Sequence, residues 1–224
     1  MRNRLLITNY LLKIFYPQNI TSLNKLIFKK NHSLNEHYRF DGLLQLIKSL
    51  KNKHLTEIGK FVLKRSLAEA QQIHKAKKKY YINHPEVHDY KIKKPIFIIG
   101  FPRSGTTFLH NLLIDTLKRD GLKFWELTYP IPRINLNCID VNYRKLKTTI
   151  NYTLYRMLVP DIQKMHNVKI NSYEECWHLF KSSLNIFNLD LQIGIKNYGD
   201  YLIDKNMDDV FKNYKELIKI INHQ

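Results

Sequence analysis

Apolar residues recur at helical spacing over residues 4–16, 40–52 and 55–82, and in the third stretch Ile58, Phe61, Val62, Ala70 and Ile73 share one stripe. The first third of the chain is therefore expected to be helical. Thr56 is placed to cap the third helix, Lys75 to Lys79 lie toward its carbonyl end, where cations are favoured, and Pro85 bars its continuation. Past residue 90 the period changes. Ile96, Phe97, Ile98 and Ile99 form a short continuous apolar run closed by Gly100, the pattern of a strand buried on both faces of a parallel sheet. From Gly105 the helical period returns, with Phe108, Leu109, Leu112, Leu113 and Leu117 on one side. KFWELTY, residues 123–129, reads as a second strand before the proline-punctuated PIPR loop. Three more helices are expected over 142–158, 173–187 and 207–222, with Ser172 and Glu175 at capping-box spacing ahead of the middle one.

Composition narrows the class. With 44% hydrophobic and 12% aromatic residues in 224, the chain has enough apolar surface for a buried core, which excludes disorder as its main state. Thirty-seven Lys and Arg against 19 Asp and Glu leave a net charge of +18, which favours an anionic partner. Lys, Asn and Ile are all abundant, as codon bias would make them, so much of that charge also fits a solvated surface. Two cysteines, Cys138 and Cys176, without any CxxC spacing exclude a disulfide framework and a structural zinc site and fit a reducing, cytoplasmic setting. The opening MRNRLLITNYLLKIFYPQ is broken by Asn9 and Lys13 and reads as an amphipathic helix, neither a signal peptide nor a transmembrane segment.

The informative stretch is Gly100-Phe101-Pro102-Arg103-Ser104-Gly105-Thr106-Thr107, a glycine-bounded loop between a strand pattern and a helix pattern. It fits the phosphate-loop spacing except that Thr106 stands where the lysine would be, and the cation is instead Arg103. Amides at a helix start, approached through glycines and helped by the helix dipole, bind anions without that lysine. Thr106 and Thr107 add hydroxyl donors, and the Arg103 guanidinium can fork onto two oxygens of a terminal phosphate or sulfate. The expected fold is α/β: an incomplete P-loop-like parallel sheet, with residues 1–90 a largely helical N-terminal region and residues 91–224 the sheet-bearing part with helical C-terminal elements.

PIFIIGFPRSGTTFLHNLL resembles the 5′-phosphosulfate loop of the broad bacterial-type sulfotransferase family. The likeness runs through LTEIGKFVLKRSL, Asn83-His84-Pro85-Glu86, FWELTYPIP and the Glu174-Glu175-Cys176 segment, covering roughly residues 40–190. It implies sulfuryl transfer from 3′-phosphoadenosine 5′-phosphosulfate (PAPS) as co-substrate to a hydroxyl or amine, with Gly100, Pro102, Arg103, Ser104, Gly105, Thr106 and Thr107 holding the donor. No metal is implied, since a sulfuryl group carries less charge than a phosphoryl group and no strand ends in a metal-binding Asp.

Glu126 lies 23 residues after Arg103 at the end of the expected second strand, where ligand-contacting residues of open α/β sheets collect. A glutamate at a similar place is the base of tyrosylprotein sulfotransferases, so the resemblance favours Glu126 as catalytic base. His110, a turn beyond Thr106, and His166 are the other candidates. His84 and His88 have metal-like spacing, but Pro85 breaks the helix that would align them. The KKKYY run at Lys77 to Tyr81 reads as an exposed helix end rather than a nucleic-acid contact. The family's 3′-phosphate-binding segment is not found, so the chain is expected to be an amino-terminal fragment. A P-loop kinase-like nucleotide-binding protein and a non-catalytic basic binding protein stay open as alternatives.

Overall fold

The computed structural model describes residues 37–50, 55–101, 104–118, 120–133, 137–159, 168–189 and 194–223. The expected helix over 4–16, the loop residues Pro102 and Arg103, and His166 lie outside these residues.

Helices carry the described architecture. Helix α1 spans His37–Leu50 and α2 spans Glu57–Asn83, as the apolar spacing predicts. Thr56 caps α2, its hydroxyl accepting the Gly59 amide at 3.1 Å. The helix stops at Asn83 because Pro85 opens a separate 3-10 turn, Pro85–Asp89. Two apolar clusters lie along α2. Toward its start Leu63, Leu67 and Ala70 pack with Leu46 of α1, and toward its end Ile73, Ala76, Tyr80 and Tyr81 flank Val87, Leu127 and Leu179. The last helix, α8 (Asp208–His223), closes the second cluster with Leu217, Ile218 and Ile220. Before it come α3 (Thr106–Leu117), α4 (Phe124–Thr128), α5 (Asn137–Leu158), α6 (Trp177–Phe180) and α7 (Lys196–Asp204).

Lys77, Tyr80 and Tyr81 do not form an exposed helix end. Lys77 is buried and donates to Asn213 Oδ1 at 2.7 Å and to Glu216, while the Tyr81 hydroxyl donates to the Glu216 carbonyl at 3.0 Å. Asn213 passes the network on to Ser182 Oγ at 2.9 Å. Only Lys78 and Lys79 of the run face solvent. A long aliphatic stem can bury while its ammonium meets acceptors, and α8 supplies them.

Three further expectations change. No strand occurs among the described residues, and residues 95–100 have no regular secondary structure or sheet partner there. KFWELTY is helical: Phe124, Trp125 and Leu127 are buried on one side of α4, and Glu126 folds back to accept the Lys123 amide at 2.7 Å, capping the turn. The expected helix over 173–187 is replaced by α6 and the 3-10 turn Lys181–Ser183, ending at Leu184 with φ 56°. Ser182, Ser183 and Asn185 bond nearby backbone there, Ser183 Oγ to the Phe180 carbonyl at 2.6 Å and Asn185 Nδ2 to the Ser183 carbonyl at 2.8 Å, in competition with a helical ladder. Gly42 of α1 lies against this turn, where a Cβ would stand 2.5 Å from the Leu184 carbonyl oxygen. Helix α7, not anticipated from the apolar spacing, anchors the turn from the other side through the Tyr198 hydroxyl, 2.7 Å from the same oxygen.

Candidate active site

The glycine loop is built from its two ends. Gly100 lies where a Cβ would come within 2.7 Å of Thr106 Cγ2 and 2.9 Å of Ser104 Oγ, so glycine lets the incoming segment pass the helix start this closely. Ser104 closes the turn, its hydroxyl donating to the Phe101 carbonyl at 2.7 Å and its amide to the same oxygen at 3.2 Å. Gly105 takes φ 89°, a left-handed conformation that aims the chain into α3. The first bond of α3 runs from the Leu109 amide to the Gly105 carbonyl at 3.0 Å. The amides of Thr106, Thr107 and Phe108 precede it and have no acceptor among the described residues. The helix that starts here has 12 residues, and its free amides stand at the positive end of its dipole, an arrangement that favours anions in general.

Opposite this helix start stands the segment that follows residue 168. It runs antiparallel to the start of α4: the Phe124 amide donates to the Ser172 carbonyl at 2.9 Å, and the Glu174 amide to the Leu122 carbonyl at 3.0 Å. Gly121 lets α3 and this pairing meet, since a Cβ there would lie 2.3 Å from Ile114 Cδ1 and 2.9 Å from Tyr173 Cδ1. The consequence is a contact that the capping-box spacing does not anticipate. The Thr107 hydroxyl donates to Glu175 Oε1 at 2.9 Å, while Ser172 closes its own turn by donating to the Lys169 carbonyl at 2.8 Å. Glu175 therefore belongs to the loop and not to a helix cap.

Of the two candidate bases among the described residues, His110 sits a turn below Thr107, half-buried, facing Glu174 and Glu175. Burial pulls its pKa below the ordinary histidine value, and the two carboxylates offset this only in part, so the ring is neutral at pH 7. Glu126 has one carboxylate oxygen committed to the Lys123 amide.

The loop after α4 is held from below by a buried charge pair. Arg144 Nε lies 2.6 Å from Asp140 Oδ2, its guanidinium covers the Trp125 ring at 4.6 Å, and its NH1 donates to the Tyr129 carbonyl at 3.1 Å. Asp140 Oδ1 accepts the Arg133 amide at 2.9 Å. The pair spans the segment that carries Glu126 and is missed by motif reading. Its i,i+4 spacing on α5 is visible in the sequence, but its burial beneath α4 is not.

The profile of the sulfotransferase family matches residues 95–221, more than half of the chain and including the whole loop and α3 to α7. The chain belongs to the sulfotransferase family. Its fold is that of two sulfotransferase crystal structures. STF1 from Mycobacterium tuberculosis H37Rv superimposes with a TM-score of 0.64 at 23% identity, over 92% of this chain and 58% of that one. STF9 from Mycobacterium avium gives 0.64 at 19% identity, over 92% of this chain and 55% of that one. This sulfotransferase-family chain thus spans somewhat more than half the length of either. No curated protein matches it. Among the described residues no cluster of His, Cys, Asp and Glu could hold a metal ion, and no helix is long and apolar enough to cross a membrane.

Proposed function

We propose that the chain binds PAPS through residues 100–107 and serves sulfuryl transfer to the hydroxyl of an acceptor. The observation that carries this reading is the helix start at Thr106: amides without acceptors, entered through Gly100 and Gly105, in the segment matched to the sulfotransferase family. The loop fits a nucleotide phosphosulfate because a Cβ at Gly100 would fill the approach. When bound, PAPS supplies an activated sulfuryl group; a new acceptor O–S bond forms as the S–O bond to the nucleotide phosphate breaks, giving a sulfate ester and adenosine 3′,5′-bisphosphate. Thr106, Thr107 and their amides, with Arg103 from the same loop, stabilise the charge that collects on the bridging oxygen. The acceptor proton goes to Glu126 or to the neutral ring of His110. No metal has a role in this scheme. The free thiols of Cys138 and Cys176 support a cytoplasmic setting.

Isothermal calorimetry tests the reading. Adenosine 3′,5′-bisphosphate binds more tightly than ATP with magnesium, and Arg103→Ala weakens it at least tenfold; tighter binding of ATP with magnesium favours the kinase-like alternative instead.

A further inference from the structure

The Thr107 hydroxyl is donated to a carboxylate at the helix start proposed to receive an anion. Glu175 is solvent-exposed, adjoins Glu174 in sequence, and faces the neutral ring of His110, so no imidazolium offsets its charge. A phosphate loop of the ordinary kind puts a lysine at the position of Thr106. This loop has Arg103 in place of that lysine and gains a negative charge from Glu175, so its net charge toward an incoming anion is lower by one unit.

Resting on the donor reading above, we propose that Glu175 is a specificity-determining residue that selects a phosphosulfate over a pyrophosphate at the loop. A terminal sulfuryl group carries one negative charge and a terminal phosphoryl group carries two near neutral pH, while the two are nearly identical in shape. Hydrogen bonds from Thr107 and the helix amides therefore cannot tell them apart. A fixed carboxylate beside Thr107 can, because its repulsion scales with the charge of the terminal group. Repulsion also explains why a carboxylate is tolerable there: the donor tail is the less charged member of the pair, and the Thr107 hydroxyl can turn from Glu175 to the donor on binding.

The test uses adenosine 5′-phosphosulfate and ADP, an isosteric pair differing by one charge, titrated without divalent cations into the full chain at low ionic strength. The wild type prefers the phosphosulfate by about five- to tenfold, the size of one charge–charge contact near the surface. Glu175→Gln keeps an oxygen acceptor for Thr107 and brings the ratio to near one, mainly by tightening ADP. Glu175→Asp, which keeps the charge, retains the preference, and raising the salt concentration erodes it in the wild type. An unchanged ratio in Glu175→Gln, or a wild type that prefers ADP, overturns the role of Glu175 while nucleotide binding itself stands. Failure of the wild type to bind either nucleotide overturns the donor reading, and the role of Glu175 falls with it.

Discussion

Gly100 and Gly105 bound the same loop but answer to different physics. At Gly105 the φ of 89° is the constraint, for a Cβ there meets nothing within 4 Å. Gly105→Ala therefore lowers stability by about 1 kcal/mol through backbone strain, read as a shift in the denaturant midpoint. At Gly100 the constraint is steric, since the added carbon strikes Thr106 and Ser104. Gly100→Ala displaces the hydroxyl and amide of Thr106, so calorimetry shows weaker adenosine 3′,5′-bisphosphate binding, by about tenfold, with a smaller loss of stability. His110 gives the loop a pH signature. Burial holds its folded pKa below the unfolded value near 6.5, so between these values the unfolded chain binds more protons and stability falls as the pH drops. His110→Gln should flatten that decline when melting temperatures are followed from about pH 7 to about pH 5. An equally steep decline in the variant would assign it to other groups.

At the scale of elements, helices with a long apolar stripe were legible and short polar-rich ones were not. The cap at Thr56, the stop before Pro85 and the apolar stripe of α8 all follow from local chemistry. KFWELTY misleads because its strand-forming residues are real, but Phe124 and Trp125 are adjacent and both buried, which alternation forbids and a capped turn allows. The Ser-Ser-Leu-Asn turn after α6 and the partnership of Glu175 with Thr107 depend on residues distant in sequence, Gly42 and Tyr198 for the first and the pairing of residues 122 and 174 for the second. No periodicity records such contacts. The loop itself was legible because glycine spacing encodes backbone geometry directly. The Lys77 network offers a test of how elements are joined: Lys77→Ala leaves Asn213 and Glu216 without their cation between α2 and α8. Because Glu216 keeps some solvent access, the expected loss is modest, about 1–2 kcal/mol by chemical denaturation, and Asn213→Ala in addition costs less than the sum of the single changes.

Across the whole molecule the apolar surface and the charge oppose each other. Ile99, Phe101 and Phe108 are 93%, 86% and 72% exposed, and Phe97 and Ile96 beside them are more than half exposed. These residues border the candidate site on the incoming segment and on α3, and contiguous apolar exposure of this kind favours association. A net charge of +18 resists it through mutual repulsion between copies. Which of the two prevails depends on ionic strength. Raising salt from about 0.05 M to about 0.5 M shortens the Debye length several-fold and leaves the apolar attraction in place, so sedimentation should show self-association growing with salt. Phe101→Lys together with Ile99→Lys removes two of the most exposed apolar groups and adds charge, and should lower both the association and the binding of a hydrophobic dye. Nucleic-acid binding driven by the same positive charge has the opposite sign, weakening steeply as salt rises. Association that declines with salt, and survives the double substitution, would therefore mean that charge and not the apolar face governs what this surface meets.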